Sequence, residues 1–289
     1  MNADLYGDPS WDKSLAVVQE YLTPPGALAR LVHNSWRGSI TSQNFIQALN
    51  VTSVPTTAFI RAAQATDPAI TDVERAVTAL GLKGSASVAA VHYACNAIIT
   101  HCESERLHRA VLQHIMDSIE IGYHFGLGAA AIGPDTGTLI GFAQSIGPAL
   151  LAVKCATTPS EARPILCGSL SQNEALQRFE CEPYQVSSLA LQRLGFGPEF
   201  ASAAVMALGN LNHDLVTTNP LVRDWWAASD WIGALLNGEK KPRRKTSLAQ
   251  FPELADLSKS DSELPLHLQL LTTQVEHVRE SHSSWSWLP

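Results

Sequence analysis

At 289 residues and a formal net charge of −7, the chain is long enough to bury a core without disulfide or metal staples. It is too acidic for a nucleic-acid face over most of its surface. Five cysteines (Cys95, Cys102, Cys155, Cys167 and Cys181) show no CxxC spacing, so zinc and redox-pair signatures are absent and buried, reduced thiols of a cytoplasmic protein are expected. Alanine and leucine are abundant and β-branched residues rarely alternate, which predicts an all-α fold.

In chain order, Ser10 is placed to cap a first helix, Trp11–Tyr21, closed by Thr23, Pro24 and Pro25. The opening MNADLYGDPSWDK lacks a basic-then-apolar order, so no signal peptide is expected. A second helix is read over Gly26–Ser35, with Leu28, Leu31 and Val32 on one face. Thr41 or Ser42 starts a third, and Pro55 suits the first turn of a fourth because its missing N–H has no helical partner there. Ile70 to Gly81 reads as a short helix stopped by Gly81. Ser85–His101 and Glu105–Gly122 are longer amphipathic helices.

The tract from Leu112 to Cys155 is the longest mainly apolar stretch. Ile115, Ile119, Tyr123 and Leu127 recur at helical spacing, as do Leu139, Phe142, Ile146 and Leu150. Gly133 to Gly137 (GPDTG) has the chemistry of a loop between two such helices. Few charges interrupt the tract, so both helices are expected to be covered on most sides and packed together. It holds Gln144, Ser145 and Pro148 and no run of about 18 apolar residues, so no membrane partner is expected.

The segment ITDVERAVTALG (residues 70–81) resembles the I-x-S-I-x-x-A-I-x-x-L-G stretch that closes the first subdomain of the HDOD family, the bacterial HD-related output domains. Its matching positions are Ile70, Val73, Ala76, Val77, Leu80 and Gly81. Phe179 to Phe200 is similar to the family's F-G-x-x-H-x-x-V-G-x-x-L-L-x-x-W-G-L-P-x-x-L, and Ser229 to Gly238 to its closing helix, with Asp230 at the acidic position. The resemblance covers roughly Leu15 to Gly238. It implies a two-lobed helical bundle: an extension over 1–14, an N-terminal lobe over about 15–104, an HD-like lobe over about 105–238, and a basic linker with a C-terminal helix and tail over 239–289.

HD proteins bind metal through a histidine, an adjacent His-Asp pair and a distant aspartate, which together hold divalent ions that activate water for phosphoester hydrolysis. Carried across, the first histidine falls on Asp117, the His-Asp pair on Gln144 and Ser145, and the histidine of F-G-x-x-H on Pro183. The His-His that often follows falls near Leu208 and Gly209. A neutral amide and a hydroxyl do not supply the charge that a hydrolytic centre requires. The resemblance therefore implies a non-catalytic regulatory protein that acts through protein partners, with no cofactor. Two alternatives remain open. One is a metal-dependent phosphohydrolase using His114 and Asp117, which lie i,i+3 on one helical face; the other is a small-ligand or nucleotide sensor using the emptied cleft.

Other constellations read more plainly. His101, His108, His114 and His124 fit the exposed sides of amphipathic helices. Gly126, Gly128 and Ala131 match a loose G-x-G-x-x-A, but a helix precedes them where a dinucleotide site needs a strand; small residues that let helices approach are the reading. Cys167 and Cys181 have no histidine beside them in sequence and are read as buried structural thiols. Lys240 to Lys245 (KKPRRK) is read as a solvated linker, with contact to nucleic acid or an acidic partner as the alternative. Leu264, Leu268, Leu271, Val275 and Val278 form an a/d-like stripe, either a helix laid back on the bundle or a homodimer seam. Trp285 and Trp287 suggest a tail that docks.

Overall fold

In the computed structural model the described residues are 8–209, 219–242, 244–254 and 266–281, and among them every regular element is a helix. In order these are α1 (Pro9–Tyr21), α2 (Gly26–Trp36), α3 (Ser42–Leu49), α4 (Thr56–Gln64), α5 (Val73–His101), α6 (Glu105–Gly128) and α7 (Gly133–Cys155). There follow α8 (Pro159–Leu166), α9 (Gln172–Phe179), α10 (Pro183–Leu194), α11 (Pro198–Leu208), α12 (Pro220–Leu236), α13 (Lys245–Gln250) and α14 (Leu266–Ser281). The bundle is two-lobed. Helices α2 to α4 pack on α5, and α7 to α13 assemble with α6 around the central pair α6–α7.

Short polar side chains start several of these helices by accepting a free backbone N–H of the first turn. Thr41 accepts from the Asn44 amide and Ser104 from the Leu107 amide, each at 3.3 Å. Ser10 does not cap α1. Asp8 does, accepting the Ser10 N–H at 2.9 Å, because Pro9 is itself in the first turn. Pro55 stands one residue ahead of α4, at its cap, rather than inside its first turn. Asp72 opens α5 in place of Ile70. Gly81 breaks α5 as expected, at a φ of 69° that L side chains rarely adopt, but the chain resumes a helical course directly afterwards.

Helix α6 runs past Gly122 to Gly128, and the turn falls on residues 129–132 rather than on GPDTG. Pro134 needs no N–H partner in a first turn and Asp135 favours the positive end of the helix dipole, so that segment begins α7 instead. Along the α6–α7 seam Ser118, Gly122 and Gly126 face Gly141, Gly137 and Gly133. A Cβ on Gly137 would overlap the carbonyl oxygen of Gly122, and one on Gly122 or Gly126 would overlap the carbonyl of Gly137 or Gly133. The small-residue reading thus holds for Gly126. Gly128 instead faces the side chains of Leu254 and Leu271. Helix α7 is long and apolar enough to cross a membrane, but 78% of that stretch is buried inside the fold.

Packing continues outside residues 15–238. Ser10 and Ser14 of α1 are buried against Gln185 of α10, whose Nε2 donates to Ser10 Oγ at 2.8 Å. After Gly238, Phe251 and Leu254 are fully buried, Phe251 edge-on to Phe125. The basic run is only partly a solvated linker. The Arg244 guanidinium lies 4.6 Å from the Trp226 ring centre and its amide donates to Asp230 Oδ2. Helix α14 lies back on α6, burying Leu271, Val275 and Val278; Leu264, Trp285 and Trp287 lie outside the described residues. Cys95, Cys102 and Cys181 are buried, whereas Cys167 is exposed where α8 ends, contrary to the expectation of a buried thiol.

Because the seam brings backbone onto backbone, Gly137→Ala is expected to destabilise the protein by about 1–3 kcal/mol or more. Chemical denaturation should show no comparable loss for Gly26→Ala, where an added methyl meets only the Arg30 guanidinium at 3.5 Å.

Candidate functional site

Helices α6, α10 and α12 each pack on α7; the resemblance places the family's histidine positions on α6, α7 and α10 and the acidic position of its closing helix on α12. Gln144 sits mid-way along α7, half-buried, and its Nε2 donates to the Ser229 carbonyl of α12 at 2.6 Å. Ser145 is fully buried. Its hydroxyl is turned back on its own helix, donating towards the carbonyls of Gly141 (3.0 Å) and Phe142 (3.1 Å), a local bond that Ser makes readily inside helices.

Pro183 is the first residue of α10. The start of α10 is pressed against α7 at Gly147, where an added Cβ would strike the Pro183 carbonyl and where the Gly147 N–H donates to Ser187 Oγ at 3.0 Å. Proline offers no side-chain donor or acceptor there. The adjacent Glu182 is already engaged, its Oε1 accepting Gln172 Nε2 at 2.8 Å and the Tyr184 hydroxyl at 3.1 Å. Leu208 ends α11, and Gly209 lies against the Tyr184 ring.

On α6, Asp117 is half-buried and accepts Gln113 Nε2 at 2.6 Å. His114 is half-buried on α6, one turn before Ser118 of the seam. His114 is therefore not on an exposed side as expected. Burial pushes its imidazole down to about 4. His124 is likewise held below the ordinary histidine range, first by burial and then by His277 of α14. His101 is exposed and meets the Tyr21 ring edge-on.

No family model matches the sequence, and no curated protein matches it significantly. Two solved structures resemble the fold over almost its whole length. An HDOD domain protein of unknown function from Geobacter sulfurreducens superposes with a TM-score of 0.59 at 11% identity, covering 95% of this chain and 98% of that one. This chain has an HDOD/HD-like fold. The second structure, named "Putative metal-dependent phosphohydrolase", from Shewanella amazonensis SB2B, matches with a TM-score of 0.50 at 15% identity, covering 94% of this chain and 99% of that one.

Within the HDOD/HD-like fold, the donor set at these positions does not fit a divalent metal. Among the described residues no group of three or more His, Cys, Asp or Glu side chains converges on one point. At residues 144 and 145 stand an amide already spent on a helix carbonyl and a hydroxyl bonded within its own helix, neither of them an ionisable ligand. Asp230 accepts the Arg244 amide at the start of α13. Sequence reasoning took Ser229 and Gly233 only as part of the closing-helix motif and passed over Trp225; the three form one face of α12 at four-residue spacing, and Gln144 lies against it at Ser229 and Gly233. That spacing, next to the recognised Asp230, is the trace that could have revealed them.

With His114 neutral in the folded state, the unfolded chain takes up a proton near its ordinary value of about 6.5 that the folded chain refuses. The resulting stability is complete above that value and is lost as the pH falls towards about 4. Denaturant midpoints measured at pH 7 and pH 5 should therefore diverge more for the native protein than for His114→Gln.

Proposed function

We propose that this protein is a non-catalytic regulatory component of bacterial signal transduction, using its HDOD-type bundle to bind other proteins. The replacement of the His-Asp pair by Gln144 and Ser145 carries this reading. Hydrolysis of a phosphoester by this family's chemistry needs a metal that lowers the pKa of water and offsets charge developing on the phosphoryl oxygens. Gln144 and Ser145 bring no charge to that task, and both are already bonded inside the protein. A fold freed of hydrolysis keeps a large, rigid helical surface, which suits protein contact, and the net charge of −7 gives no support to nucleic acid as the partner.

The test is elemental analysis of the full-length protein after incubation with manganese and iron and then desalting, together with assays on phosphodiesters. The expected result is neither metal at stoichiometric level and no turnover, with affinity for a partner protein unchanged by a chelator. Stoichiometric metal together with turnover abolished by His114→Ala or Asp117→Asn would overturn the reading and establish a hydrolase built on α6.

A further inference from the structure

Helix α14 crosses α6 in a defined direction. Near the end of α6, Leu271 Cδ2 lies 3.9 Å from where a Cβ on Gly128 would stand. Six residues later His277 is close enough to His124 to act on its charge. The two helices are therefore antiparallel, and the end of α14 at Ser281 points towards the start of α6 at Glu105. This contact buries Leu271, Val275 and Val278.

The first half of α6 carries a groove of about 630 Å³ lined by Glu105, Arg106, Arg109, Ala110 and Gln113. Arg106, Ala110, Gln113, Asp117, His124 and Gly128 follow one another at steps of four, three, four, seven and four. Such steps keep to one face of a helix, so the groove continues the strip of α6 that α14 covers. Arg106 and Arg109 are both exposed. Arg109 Nη2 donates to Glu105 Oε1 at 2.6 Å, an in-plane bond that leaves the guanidinium faces free to stack on an aromatic ring.

Residues 282–289, which follow α14, read HSSWSWLP and carry no charged side chain beyond His282. In an extended course Trp285 and Trp287 fall on the same side, roughly 7 Å apart, with Ser286 turned away. The lengths also agree. Counted from His277, the end of α14 and an extended chain bring Trp285 to about 19 Å and Trp287 to about 26 Å. Counted from His124 in the same direction, Arg109 lies at about 22 Å and Arg106 at about 27 Å along α6.

We propose that residues 282–289 dock in cis along this groove, with the indoles of Trp285 and Trp287 stacked on the guanidinium groups of Arg109 and Arg106. Indole is the ring on which a cation stacks best, and two such rings give a short segment a large surface to bury. The docked segment extends the cover that α14 gives α6 as far as its first turn. It stands whether or not the protein works through partners.

Fluorine NMR of the full chain labelled with 5-fluorotryptophan tests it, with the two resonances assigned by Trp285→Phe and Trp287→Phe. In the native protein both are expected away from the position they take in urea, at shifts independent of protein concentration. The Arg106→Ala, Arg109→Ala double variant should return both to the urea position. The resonances of the buried Trp36, Trp225 and Trp231 should stay in place, which shows in the same spectrum that the variant is folded. Native resonances already at the urea position, or displaced ones that ignore the arginine changes, would overturn the proposal. Shifts that grow with protein concentration would overturn docking in cis and point to the groove of a second copy. The native spectrum and its concentration dependence remain decisive even if the double variant does not fold.

Discussion

The close crossing of α6 and α7 is the constraint on which the rest of the bundle depends. Three small residues on each helix (Ser118, Gly122 and Gly126 against Gly141, Gly137 and Gly133) let the two backbones approach to a distance that no side chain permits. Residue 144 is thereby held at a fixed height relative to α6. Because α8, α10 and α12 then pack on the outside of this pair, an error at the seam would propagate to every position at which a ligand could sit. Dispersion and exclusion of water do the holding, since neither face of the seam carries a charge.

Around this seam the polar chemistry is turned inward and spent on architecture. Ser145 bonds its own helix, Gln144 ties α7 to α12, Glu182 gathers Gln172 and Tyr184, and Asp230 receives the chain entering α13. These side chains join helices to one another.

Much of the architecture was legible in the chain. Apolar spacing over residues 112–155 predicts the buried pair, and Thr41, Gly81 and the motifs near residues 70–81, 179–200 and 229–238 locate the helices of both lobes. Two misplaced boundaries share one cause, a proline that fits the first turn of a helix. GPDTG looks like a loop because glycine and proline are read as breakers, yet the same residues suit the first turn of a helix whose N–H groups need no partner. Ser10 looks like a cap until Pro9 is seen to be helical and Asp8 takes the role. KKPRRK looks solvated because sequence shows charge and not the Trp226 ring beneath Arg244.

The sequence alone determined the helical class, the pairing of α6 with α7 and the neutral character of Gln144 and Ser145 in the middle of α7. These depend on periodicity and residue chemistry, which are local. Tertiary structure decided that burial holds the His114 imidazole below its ordinary range, that α14 lies back on α6, and that Ser229 and Gly233 lie beside Gln144. Desolvation and hydrogen-bond partnership depend on atoms supplied by other helices, up to 85 residues away for Gln144 and Ser229. No pattern within a single helix carries that information.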